Sequence, residues 1–187
     1  MNTEADPPYP FQHEGPVLAV GNAWCLHEDL VRAQQLFPSA SIMAVNGAAR
    51  EVRANFLFSY HPERFIETGF DWIRHQRRLF GNEFTVHGSR CLPGMPWVEF
   101  WWNRSRGGGG SIWGARKVLK LLGFDPVIIC GSPMIAGPYT GNHNLGGMMH
   151  IENVVNQYLS EIASDTDWHK GCYSMSGQTR EILGSLP

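Results

Sequence analysis

No stretch of this chain stays apolar for the roughly 20 residues a membrane-spanning helix needs. The first residues lack the charged-then-apolar pattern of an export signal, so the cytoplasm is the default expectation. Cysteine is scarce: Cys25, Cys91, Cys130 and Cys172 lie far apart and form no CxxC pair. Cys25 and Cys130 flank apolar runs and read as buried free thiols of a reducing compartment. Missing too are the HxH, HExxH and Cys/His spacings of a zinc centre, so a dedicated metal is not expected. There is no Gly-x-Ser-x-Gly elbow, which argues against an ordinary serine hydrolase, and no internal repeat.

What is present suits one folded domain. The chain has 187 residues, 43% hydrophobic and 17% charged, with ten Phe, seven Trp and five Tyr. That size and composition can bury a core and argue against disorder. The net charge of −2 conceals a basic centre. Twelve of the fifteen Lys and Arg residues lie between Arg50 and Lys120 against six acids, a zone of +6, leaving −8 elsewhere. Such a zone is either a solvated face or a surface for an anionic ligand, and nucleic acid stays open as a partner.

Residues 1–16 are polar and proline-rich and read as an extended lead-in, with residues 17–187 as the domain. "PVLAVGN", "ASIMAVNG", "ANFLFSYHPE" and "DPVIICG" are short apolar runs closed by turn residues, the pattern of buried strands. "EFTVHG" and "MPWVEFWW" are further strand candidates, and "GCYSMS" is the last. Helical spacing appears in Leu26, Leu30, Ala33 and Phe37, stopped by Pro38, and in Phe65, Phe70, Ile73 and Phe80, closed by Gly81. Ile112, Ala115, Val118, Leu119 and Leu122 form another helical face, with Ser111 as N-cap and Gly123 as C-cap. "IENVVNQYLSEIAS" is amphipathic, and "QTREILGSL" is a short terminal helix. Residues 132–149 contain many glycines and no period, and read as a glycine-rich lid loop. Strands alternating with helices predict an α/β, Rossmann-like domain with a mostly parallel sheet and helices on both faces.

In that architecture ligands bind at the carboxyl ends of the strands. Those ends carry Gly21 and Asn22, Asn46, His61, and Gly131 and Ser132. "GGGGS" before a helix lets backbone approach an anion or nucleotide at free N–H groups, with Gly110 and Ser111 nearest and Arg104 and Arg106 upstream. It is neither a Walker loop nor the dinucleotide fingerprint, and a mobile connection is the plainer alternative. His150 follows the lid loop and opens a helix, a place where a histidine can act as general base. Trp97, Trp101 and Trp102 beside arginines read as core or oligomer interface, or else as a stacking surface.

The order "VLAVGN", "MAVNG", "FSYHPE", "GGSIWGARKVLKLLGFDPVIICG", lid, "HIENVVNQYLSEI", "CYSMS" resembles the bacterial lipooligosaccharide sialyltransferases. It also resembles the 6-hydroxymethylpterin diphosphokinase-like proteins that include flagellin accessory-factor transferases. The resemblance spans about residues 17 to 175. It implies a glycosyltransferase using a nucleotide-sugar donor and an acceptor hydroxyl on a glycan, a small molecule or a modified DNA base. Gly21, Asn22 and Asn46 would contact the phosphate or ribose, His61 stands in place of a third-strand Asn, and Gly110 and Ser111 would hold the nucleotide. Gly131 and Ser132 join the nucleotide-binding candidates from the strand-end reading, not from the resemblance. His150 matches the general base, and Tyr139 the tyrosine assisting the leaving phosphate. Two departures are visible: "GNAWC" puts Trp24 where small residues are usual, and "GSP" replaces the Gly-[IV]-Asp after the fourth run. The lost acid weighs against the alternative of a diphosphokinase acting on a pterin or nucleoside. A nucleotide-binding module without chemistry is the remaining alternative, and the oligomeric state is open.

Overall fold

The computed structural model describes residues 9–81, 83–90, 94–95, 97–102, 110–135 and 151–186. Seven strands form one parallel sheet in the order β5-β4-β3-β2-β1-β6-β7. They are β1 (Val17–Val20), β2 (Ser41–Val45), β3 (Phe56–Ser59), β4 (Thr85–Gly88), β5 (Phe100–Trp101), β6 (Val127–Cys130) and β7 (Cys172–Ser174). The helices are α1 (Leu26–Leu36), α2 (Glu63–Glu67), α3 (Asp71–Phe80), α4 (Gly110–Leu121), α5 (Ile151–Ser164) and α6 (Gly177–Leu183). This is the expected α/β, Rossmann-like domain, and every strand pairing is parallel.

The apolar runs lack alternation because both sheet faces are covered. Leu18 and Val20 face α1, α2 and α3, whose Leu26, Leu30, Phe65, Trp72 and Ile73 complete one core layer. Val17 and Ala19 face the other way, against Ile112, Trp113, Ala115 and Val118 of α4 and Ile162 of α5. Strand order reverses at β1, which has β2 on one side and β6 on the other.

Three local expectations change. The Phe65–Phe80 repeat is not one helix: Gly69 and Phe70 take φ of +58° and +60°, and the chain stops at Glu67 and restarts at Asp71. The stop is hydrogen-bonded as a Schellman turn, Phe70 N–H to Phe65 C=O and Gly69 N–H to Ile66 C=O. Among the described residues of the "MPWVEFWW" run, Phe100 and Trp101 pair as strand. Ser111 lies inside α4 and does not cap it, because the helix already begins at Gly110. Gly123 does close α4, in the same Schellman pattern, with Phe124 N–H to Leu119 C=O.

Residues 9–16 have no regular structure, and Tyr9 and His13 anchor them to the domain. The His13 N–H donates to Leu122 C=O, and its ring stacks on Phe124 at 4.6 Å.

The guanidinium of Arg116 is sealed inside. Arg116 of α4 is 0% exposed, its guanidinium 3.5 Å from the Trp113 ring centre, with Nη1 donating to Trp168 C=O. Burial pushes Arg116 down to about 10, against the upward pull of Cys172 and Asp165. Asp165 accepts from Lys117 Nζ at 2.7 Å and Trp113 Nε1 at 2.8 Å, and stands 3.7 Å from Arg116 Nη2. One carboxylate therefore serves two cations. Asp165→Asn keeps an acceptor for Trp113 but removes the charge, and should cost about 2 kcal/mol in denaturant unfolding. A loss under about 0.5 kcal/mol would mean the flanking indoles suffice.

Candidate functional site

The carboxyl ends of β6, β1, β2 and β3 are neighbours in the sheet, so the turn residues after them form a row. At the usual strand spacing that row is roughly 14 Å long. Gly131–Ser132, Gly21–Asn22, Asn46 and His61 occupy it in that order. α4 packs across these four strands and follows a strand of the same parallel sheet, so its first residues, Gly110 and Ser111, enter from this edge. The structure thus brings eight of the predicted residues to one edge of the sheet. His150, Tyr139, Gly107–Gly109, Arg104, Arg106, Cys91 and most of the lid loop lie outside the described residues.

The centre of the row is backbone. Gly21 N–H donates to Cys130 C=O and Ala23 N–H to Gly131 C=O, tying the β1 and β6 ends together. A Cβ at Gly21 would lie 2.6 Å from the Gly131 carbonyl oxygen. One at Gly131, where φ is +61°, would lie 2.5 Å from the Gly21 carbonyl oxygen. Beneath them is Asp29 of α1, a buried carboxylate that sequence reasoning missed. It accepts from Gly131 N–H at 2.9 Å and from the Ser176 hydroxyl at 2.7 Å. A charge on the apolar face of α1, between Leu26 and Leu30, was the available signal.

Gly110 enters α4 with φ of +71°, and a Cβ there would come 2.9 Å from the Tyr158 ring of α5. The fold itself therefore demands this glycine. Asn46 takes φ of +52°, and its Oδ1 lies 2.8 Å from the Ser59 hydroxyl, which is also 2.8 Å from the His61 carbonyl oxygen. Ser132 offers its carbonyl to Thr179 of α6 at 2.7 Å. Trp24 is 47% exposed on the turn after Asn22, so the residue that departs from the resemblance stands at the mouth of the row.

Burial pushes the Cys25 thiol up to about 11 and Cys130 well above its ordinary value, so neither supplies a thiolate near neutrality. Asp165 and Asp167 stand two apart, but Asp165 is committed to Lys117 and Trp113. Among the described residues no three His, Cys, Asp or Glu side chains converge on a metal position. The tryptophans pack: Trp102 is buried, Trp101 lies against Gly88, and Trp97 sits under Arg77 at 4.5 Å. Much of the basic zone is internally paired, with Arg50, Arg64, Arg90, Lys117 and Lys120 each on a carboxylate. Among the described residues no helix is long and apolar enough to cross a membrane.

No family model matches the chain, and no curated protein matches it. Among solved structures it is similar to the MAf glycosyltransferase of Magnetospirillum magneticum AMB-1, at 15% identity and a TM-score of 0.43. The match covers 74% of this chain and 26% of the other, so this chain spans about a quarter of that protein's length. A likeness of that degree assigns neither activity nor substrate.

Proposed function

We propose that this chain binds a nucleotide-activated sugar along the β6–β1–β2–β3 edge and transfers the sugar to an acceptor hydroxyl. The observation that carries the reading is the Gly21–Gly131 apposition at the point where strand order reverses. There the ends of β1 and β6 meet main chain to main chain, each glycine's missing Cβ letting in the other's carbonyl oxygen, at the place where open α/β sheets take their ligands. Asn22 and Asn46 add amide groups on its β2 side, and Gly110 and Ser111 add the entry of a 12-residue helix. In this reading His150 takes the acceptor proton and Tyr139 assists the departing phosphate, the roles implied by the motif resemblance. The reaction needs no dedicated metal, and the acceptor is a glycan or small molecule.

The first test is thermal. CMP, UDP, GDP and their sugar conjugates should raise the melting temperature, since a ligand at a hundred times its Kd stabilises by about 2.7 kcal/mol. No shift at millimolar concentrations with any of them would sink the reading. With a donor in hand, His150→Ala should slow transfer at least about a hundredfold while leaving the nucleotide-induced shift intact. Near-normal turnover would remove His150 from the mechanism.

A further inference from the structure

The β3 edge carries a three-residue charge arrangement that the donor reading does not yet use. His61 follows β3 by two residues, with its side chain 52% exposed. Its Nδ1 lies 3.2 Å from Glu63 Oε1. The other carboxylate oxygen of Glu63 accepts from Arg90 Nη2 at 3.0 Å. Glu63 opens α2 and Arg90 follows β4, so two further elements aim the imidazole. Partial burial pulls the Glu63 carboxyl upward, but hydrogen bonds from backbone N–H, Arg90 and His61 outweigh it and hold it below the usual range. The carboxylate is thus charged, with both oxygens engaged. Its bond to Nδ1 leaves Nε2 as the outward edge of the ring. Arg90 Nε is buried without a hydrogen-bond partner among the described residues.

The neighbouring strand end is coupled to this group. The Ser59 hydroxyl lies within hydrogen-bond distance of both Asn46 Oδ1 and the His61 carbonyl, holding the ends of β2 and β3 in one arrangement. With Oδ1 on Ser59, the Asn46 NH2 group has no partner among the described residues and can serve a ligand. His61 Nε2 and the Asn46 NH2 group then stand on adjacent strand ends, with the Arg90 guanidinium on the far oxygen of Glu63. Groups of this kind gathered at one edge suit an anion with several oxygens.

We infer that His61 and Asn46 hold the donor's phosphate, with His61 Nε2–H on the oxygen from which the sugar departs. Glu63 and Arg90 are positioning residues acting through His61. The inference rests on the nucleotide-sugar reading above. In the transfer, the bond from the anomeric carbon to the phosphate oxygen breaks, and its electron pair stays on that oxygen. The acceptor oxygen bonds the same carbon and yields its proton to the base. His61 keeps its own proton and stabilises the charge growing on the phosphate, an interaction stronger in the transition state than before it.

The test compares nucleotides with their nucleosides. CMP, UDP and GDP, and cytidine, uridine and guanosine, are titrated calorimetrically into wild type, His61→Gln, Glu63→Gln and the double variant. For the nucleotide that binds, His61→Gln should weaken affinity about tenfold, while the matching nucleoside stays within about twofold. The double variant should be no weaker than His61→Gln alone, because Glu63 works only through the ring. Equal losses for nucleotide and nucleoside, or unchanged nucleotide affinity in His61→Gln, would overturn the phosphate contact and leave the donor reading standing. Additive losses in the double variant would overturn the positioning role. Binding of none of the six to wild type would bring both readings down together.

Discussion

As pH falls from about 6.5 toward 3, the protein should lose on the order of 4 kcal/mol of stability through one buried histidine. His87 of β4 is fully buried; Trp102 Nε1 donates to its Nδ1 at 2.9 Å, and its Nε2 lies 2.7 Å from the Thr85 hydroxyl. That arrangement fixes a neutral ring with its proton on Nε2. Burial, with a smaller push from His13, takes its pKa down to about 3. An unfolded histidine titrates near 6.5, so between those values the unfolded chain holds a proton that the native one refuses. Stability therefore rises with pH across that window and is lost on acidification. His13, lowered by burial, adds in the same direction. Asp165, also held below its usual value, contributes stability that is lost only below about pH 4.

The interval from about pH 6.5 to 4.5 thus belongs to the histidines. There the slope of unfolding free energy should approach about 1.4 kcal/mol per pH unit. His87→Gln retains an acceptor for Trp102 and a donor for Thr85. It should start less stable at pH 7 and show a much flatter slope. Denaturant midpoints measured every half unit check this, and parallel curves for variant and wild type would refute it.

His87 also shows where reading the chain reached its limit. Its position inside "EFTVHG" marked it as a strand residue, but only the Trp102 and Thr85 contacts make it a neutral core group. Asp29 is a similar case, since its partners Gly131 and Ser176 are far away in the chain. What was legible followed from short-range physics. β1 and β6 are unbroken apolar runs because both of their faces are covered, and their ends carry the glycines that let them meet. The four polar strand ends were expected to share one crevice, and β6, β1, β2 and β3 are indeed consecutive in the sheet. The break at Gly69–Phe70 was hidden because a helical period on either side of a stop still reads as one period. The sequence presents Gly110 as a ligand contact, yet the Tyr158 ring behind it is an internal reason for the same glycine.

Gly131→Ala should be the most damaging conservative change at the proposed donor site. Three costs act together. At φ of +61° an alanine pays about 1–2 kcal/mol for the left-handed conformation. Its methyl would stand 2.5 Å from the Gly21 carbonyl oxygen and 3.0 Å from Leu26 Cβ. Neither neighbour yields easily, because one is main chain and the other opens α1 in the core. Moving them also pulls Gly131 N–H from buried Asp29, whose carboxyl would be left short of a donor. Taken together the loss should be about 4 kcal/mol in denaturant unfolding. The same displacement separates the ends of β1 and β6, so any folded variant should have lost most of its nucleotide-induced thermal shift. Val31→Ala, at an exposed position of α1, is the control that should keep both. Were Gly131→Ala to fold within about 1 kcal/mol of wild type and still bind nucleotide, the main-chain contact at the strand-order reversal would not be the feature that shapes this site.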